Sequence, residues 1–331
     1  PLFIKYRMIN ALGAGVLSFL IDGNRSFLIC GTRSSGKSSF LSSMMVNILR
    51  RYRIITIEDT LELPVLPLLD MGFNIQQLKV ASALGGKTTE VDPQEGIRST
   101  LRLGDSALIV GEVRSKEAKA LYEAMRVGAA ANVVAGTIHG DSPYGVYDRV
   151  VNDIGVPRTS FKATDIIVIA NPVRTADGMH KNRRITQITE VRKDWEDDPL
   201  REHGFVDLMK YDPETDELEP TDALKNGDSE ILKMVAGNIK EFAGSWDAIW
   251  ENIQLRAQLF EALLKESDDD PDILEAAFVV RANDAFHVIS EQYKTEEGHL
   301  DNEQILVVWQ DWLKRELRKR KHDRLLNTAA E

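Results

Sequence analysis

Residues 26–30, SFLIC, form an apolar run of strand length, and from Lys37 onward Phe40, Met44, Ile48 and Leu49 recur near helical spacing. Between them lies GTRSSGKSS, residues 31–39, which fits the pattern G-x-x-x-x-G-K-[ST] in the strand–loop–helix setting that gives the pattern its meaning. Glycines let the backbone curl so that several N–H groups face inward, and the start of the helix adds positive partial charge at the same point. The stretch therefore predicts a cradle for the phosphates of a nucleoside triphosphate, built from Gly31, Thr32, Arg33, Ser34, Ser35, Gly36, Lys37, Ser38 and Ser39. Within it Lys37 would bring a point charge to the β- and γ-phosphates, and the Ser38 hydroxyl would ligate Mg2+.

Such a unit needs neighbours. Residues 53–57 (RIITI), 107–110, 133–137 and 166–170 are further compact apolar runs, with helix-like segments between most of them. That alternation predicts an α/β domain on a mainly parallel sheet, with function collected where the strands end. Residues 184–191 and 204–211 alternate apolar and polar side chains and read as an antiparallel edge hairpin. After about residue 221 the texture changes. Ile231, Val235, Ile239, Phe242, Trp246, Ile249, Trp250, Ile253, Leu259 and Leu263 follow a helical period, with Gly244 as an interruption. Further helices are expected over 273–293 and 302–326, the acids and Pro271 of SDDDPD suiting a helix start. The expected organisation is the end of an interdomain linker at 1–22, an α/β domain at 23–221 and an α-helical C-terminal region at 222–331. Residue 1 is proline, and a longer parent protein is expected.

Acidic residues stand at two strand ends: Glu58, Asp59 and Glu62 in ITIEDTLELP, and Glu112 in ALIVGEVRSKEA. A phosphate-loop enzyme needs one carboxylate near its metal and another to orient or deprotonate the attacking water. Glu112 matches the second position, although Gly111 stands where an aspartate is usual. His139 closes another apolar run, in GTIHGDSP. Alone it is open to four readings: metal ligand, catalytic base, phosphate sensor, or polar residue where a strand stops. The six histidines are scattered, with no two at ligand spacing in this region, which argues against the first.

Taken in order, GTRSSGKSS, ITIEDTLEL, LRLGDSALIVGEVRSKEA and VVAGTIHGDSP resemble the Walker A, Asp box, Walker B and His box of the secretion ATPase superfamily of type II secretion, type IV pili and the archaellum. In that family GE followed by an apolar residue and arginine is the usual Walker B form. The resemblance covers roughly residues 11–172, and the style of the His box looks archaeal. The absence of a cysteine-rich zinc segment departs from the bacterial type II members. The resemblance implies a RecA-like P-loop fold, ATP and Mg2+ as cofactors, ATPase activity, and a homo-hexamer around a central pore. It implies a cytoplasmic, membrane-peripheral motor acting on a polytopic inner-membrane platform protein that moves pilin-like or secreted substrates. It also implies an N-terminal domain joined by a flexible linker. By position, Lys37 and Ser38 would hold phosphate and Mg2+, Asp59 would lie on the metal, and Glu58 and Glu62 would line the metal and water side. Glu112 would polarise the attacking water, and His139 would sense the γ-phosphate. Arg98, Arg102 and Arg114 are candidates for charge stabilisation or subunit contacts.

A net charge of −11 argues against whole-surface nucleic-acid binding. Only LKRELRKRKHDR, residues 313–324, supports an alternative load, DNA, for the same motor. A third reading is a regulatory subunit with little turnover, against which the intact Lys37, Ser38, Glu112 and His139 argue. The single cysteine, Cys30, allows no internal disulfide and gives an intracellular reading.

Overall fold

The computed structural model describes residues 1–81, 92–100, 106–127, 133–174, 179, 181–296 and 298–330. The strands are β1 (Ser26–Gly31), β2 (Arg53–Glu58), β3 (Asn74–Lys79), β4 (Ser106–Val110), β5 (Val134–His139), β6 (Ile166–Arg174), β7 (Lys181–Val191), β8 (Phe205–Asp212) and β9 (Glu217–Pro220). They form one nine-stranded sheet in the order β3-β2-β4-β5-β1-β6-β7-β8-β9. Pairings from β3 to β6 are parallel, and those from β6 to β9 are antiparallel. The helices before β6 are α1 (Leu2–Lys5), α2 (Ala11–Asp22), α3 (Lys37–Met45), α4 (Val65–Asp70), α5 (Pro93–Thr100), α6 (Ser115–Val127), α7 (Pro143–Asp148) and α8 (Arg158–Phe161). After the sheet come α9 (Asp222–Lys225), α10 (Glu230–Gly237), α11 (Trp246–Glu266), α12 (Ala276–Gln292) and α13 (Asn302–Ala330). This is the expected RecA-like P-loop architecture with a helical C-terminal region.

The central strands are covered on both faces, so they read as unbroken apolar runs rather than alternating ones. Phe27 and Ile29 of β1, with Val168 and Ala170 of β6, enter one core shared with α2, α3, α10 and α11. Leu28 and Cys30, with Ile167 and Ile169, enter the other, shared with α6 and α8. The hairpin expected at residues 184–191 and 204–211 is β7–β8, but it does not lie at the edge: β9 pairs with β8 and takes that position. At the other edge stands β3, a strand with no buried residue.

Residues 1–22, expected as the end of a linker, hold α1 and α2. The Asn10 side chain caps α2 by accepting from the Gly13 amide at 2.9 Å. Val16, Phe19 and Leu20 of α2 lie in the same core as β1, and α11 packs along the helix. Glu190, fully buried on β7, accepts from the Glu230 and Ile231 amides at 3.0 and 3.1 Å and from the Ser229 hydroxyl, so the sheet itself holds the start of α10. The helical period breaks between α10 and α11, where Ala243 and Gly244 both take positive φ. The faces of α11, α12 and α13 that remain form a further core around Leu259, Phe278, Phe286, Ile305 and Trp309.

Candidate functional site

Four strand ends lie side by side in the order β2, β4, β5, β1. Sequence separation hides this, because the chain visits them as β1, β2, β4, β5. The phosphate loop leaves β1, Glu58 ends β2, Glu112 follows β4 and His139 ends β5.

The loop runs into α3 through Gly36, whose φ of +92° is a backbone state side chains rarely adopt. Ser34 takes φ +63°, and the fully buried Ser35 has a hydroxyl with no hydrogen-bond partner among the described residues. Thr32 and Arg33 are exposed along the same loop, and Ser39 on the first turn of α3. The Lys37 ammonium donates to the carbonyls of Gly31 at 3.2 Å and Thr32 at 3.0 Å, which places it in the curl. Burial lowers its pKa, and the nearby Glu112 carboxylate opposes that.

The acidic side is a connected row. Arg114 donates to Asp59 Oδ2 at 2.7 Å and, through its other terminal nitrogen, to Glu112 Oε2. Glu112 Oε1 lies 3.2 Å from His139 Nε2. The Glu112 hydrogen bond raises the Arg114 pKa further, so the guanidinium is a permanent charge between the two acids. Ser38, Glu58, Asp59, Glu62, Glu112 and Arg114 line one cavity of about 60 Å³. His139 instead opens onto a neighbouring groove with Gly31, Thr32 and Arg33. It therefore bridges the acidic cavity and the phosphate loop.

The other expected site residues, where described, have partners within the fold. Glu58 is 3% exposed; its Oε1 accepts from the amides of Glu62 and Leu63, each at 2.9 Å, and its Oε2 from Gln77 Nε2 at 3.3 Å. Its carboxylate ties down the turn after β2, and the residue lines the cavity shared with Ser38 and Glu112. A Cβ at Gly111 would stand 2.9 Å from Glu58 Cγ, which explains a glycine at a position where aspartate is usual. Glu62 contributes its amide to Glu58 and leaves its own side chain exposed. Asp59 has one oxygen on the Thr60 amide at 2.7 Å and the other on Arg114, so it orients the arginine. Arg98 pairs with Glu123 of α6 at 3.1 Å, not with a carboxylate of the row. Arg102 lies outside the described residues.

No group of three or more His, Cys, Asp or Glu among the described residues could cage a metal. The donors present fit Mg2+ carried on a nucleotide instead, since that ion takes one or two protein oxygens and completes its shell with phosphates and water. The Ser38 hydroxyl, which lines one cavity with Asp59 and Glu112, is such an oxygen. Arg183 was not singled out in the sequence. It projects from β7 and donates from Nε to the Ser34 carbonyl at 3.1 Å.

Residues 3–204 match the family model described as type II/IV secretion system protein. An uncharacterized protein of Methanocaldococcus jannaschii is 29% identical over 265 residues, which cover 79% of this chain and 90% of that one. A putative conjugal transfer protein of Mycobacterium tuberculosis is 29% identical over 136 residues, 41% of this chain and 36% of the relative's length. Among solved structures, the VirB11 ATPase of the Brucella suis type IV secretion system shares 21% identity over 54% of this chain and 52% of its own, with a TM-score of 0.43.

Proposed function

The chain belongs to the type II/IV secretion system protein family, and on that premise we propose that it is a Mg2+-dependent ATPase, the motor of a pilus-assembly, archaellum or type II-like secretion machine. The observation that carries this reading is the meeting of the phosphate loop and the Glu112–His139 pair at adjacent strand ends. Converging loop amides and Lys37 would bind the triphosphate. Bound Mg2+ would neutralise charge on the phosphates. Glu112 would take a hydrogen bond from the attacking water and accept its proton. Arg114, fixed by Asp59, holds the Glu112 carboxylate in place. His139 touches Glu112 on one side and opens toward the phosphate loop on the other. It would report the γ-phosphate to the α7 segment that follows.

Hexamer assembly, docking on a polytopic membrane platform and movement of pilin-like or secreted substrates belong to this proposal, as does a place at the cytoplasmic face of the membrane. No helix among the described residues is long and apolar enough to cross a bilayer. The basic tail gives a DNA load little support. Arg320 and Arg324 pair with Asp270 and Asp272, and Lys319 with Glu316, so part of its charge is met within the fold.

The reading is tested by phosphate release from MgATP, with an N-terminal domain of the family supplied where turnover requires it. Glu112→Gln is expected to retain MgATP binding and lose at least about a hundredfold in kcat, the ordinary worth of a positioned base. Undiminished turnover in that variant would remove Glu112 from the role.

A further inference from the structure

The phosphate loop of this chain is held from outside by a residue more than a hundred positions away in the sequence. β7 lies beside β6, with Val168 opposite Ile188, Ile169 opposite Gln187 and Ala170 opposite Ile185. Thr186 is the extra residue of a β-bulge, and its hydroxyl donates to the Ile169 carbonyl at 3.3 Å. A bulge inverts the alternation of side chains beyond it. Ile188 and Ile185 consequently both enter the core that contains α3. Counting on, Arg184 pairs with Asn171 and Arg183 with Pro172, so Arg183 emerges on the face of the phosphate-loop helix. Without the bulge it would emerge on the other.

The strand that presents Arg183 is tied down. Arg184 makes a two-point ion pair with Asp216 at 2.9 and 2.8 Å, and the Ile185 amide donates to the Met8 carbonyl at 2.6 Å. Arg183 Cδ and Met8 Cε then lie 3.3 and 3.5 Å from where a Cβ on Gly36 would stand. Among the described residues the Arg183 side chain has no carboxylate partner; its one hydrogen bond goes from Nε to the carbonyl of Ser34, at 3.1 Å. Ser34 is the one non-glycine of the loop with positive φ, at +63°. Such a residue is unfavourable for an L side chain and persists only when its surroundings hold it.

We propose that Arg183 is a positioning residue of the phosphate loop: by donating its Nε–H to the Ser34 carbonyl it keeps the loop tip curled so that the loop amides converge on one anion. The inference rests on the nucleotide-binding reading of that loop. It concerns the hydrogen bond and not the charge, and the two are separable by chemistry. A glutamine at 183 carries its Nε2 donor the same number of bonds from the backbone as the arginine Nε. A lysine carries a methylene there and keeps the charge.

The test is calorimetric binding of MgADP and of a non-hydrolysable MgATP analogue to the whole chain, in parallel with thermal unfolding. Arg183→Ala is expected to weaken both nucleotides by roughly tenfold, about the worth of one charge-assisted hydrogen bond. The melting temperature should stay near the native value, because the side chain is exposed. Arg183→Gln is expected to recover most of the loss and Arg183→Lys little of it. Native affinity in Arg183→Ala would overturn the proposal, and so would rescue by lysine without rescue by glutamine. Failure of the unaltered chain to bind either nucleotide, with Lys37→Ala no different, would instead overturn the nucleotide reading itself.

Discussion

Glu112 and Glu58 are both strand-end glutamates, and their surroundings give them different work. Glu112 has Arg114 on one oxygen and His139 on the other, at the mouth of a cavity it shares with Ser38. Glu58 is spent on two backbone amides and Gln77. The sequence pattern could not separate them, because the difference lies in which groups the fold returns to each carboxylate. Two contrasting outcomes follow. His139→Ala should bind MgATP with little change and lose roughly ten- to a hundredfold in turnover, as fits a group beside the proposed base. Glu58→Ala should lower stability by about 2–3 kcal/mol in urea unfolding, because it strands buried amides that had a charged acceptor. Turnover lost in proportion to fold alone in both variants would erase the distinction. Arg183 was equally hidden. Nothing within a few residues of RRIT marks it, and a bulge three positions on decides its direction.

At the level of elements, structure is legible in the sequence where a contiguous pattern carries it. The loop and its helix, the apolar strands and the long C-terminal helices follow from spacing alone, and α13 begins at the expected Asn302. β3, NIQQLK, gave no such signal, since as an edge strand it buries no residue and keeps its glutamines. β9 was missed for a related reason: its four residues, ELEP, lie within an acidic stretch that reads as loop. The join between sheet and helical region was also invisible in the sequence. It depends on Glu190, a charged residue at zero exposure whose partners are the first amides of α10. An acid at a helix N-terminus is favoured by the unpaired amides and the dipole there. Glu190→Ala is therefore expected to cost about 3 kcal/mol, read as a lower urea midpoint. A midpoint unchanged from the native chain would show that α10 is held by its apolar face alone.

Across the molecule, the helical region does more than follow the α/β domain. Ile231, Leu232, Val235, Ile249 and Ile253 lie in the same core as β1 and α3. Where α12 meets the end of α2, His287 Nε2 sits 3.4 Å from Asp22 Oδ2, and Asp22 pairs with the buried Arg256 at 2.6 Å. Burial lowers the His287 pKa from 6.5, with Asp22 opposing and Arg256 assisting. The unfolded chain thus takes up this proton first as the pH falls. The neutral ring favours folding above about 6.5, and that contribution is lost as the pH falls from there toward the folded value. Thermal unfolding at about pH 7.5 and about pH 5.5 should show a smaller drop for His287→Asn than for the native chain. Equal drops would place the acid sensitivity elsewhere.

The central claim, that the four strand ends serve one nucleotide, is tested most directly by the dissociation constant of MgATP for the native chain and for Lys37→Ala. Saturable binding that weakens at least about a hundredfold in Lys37→Ala is the predicted result, as expected when a desolvated charge contact to phosphate is removed. No binding to the native chain, or equal binding by both, would contradict it.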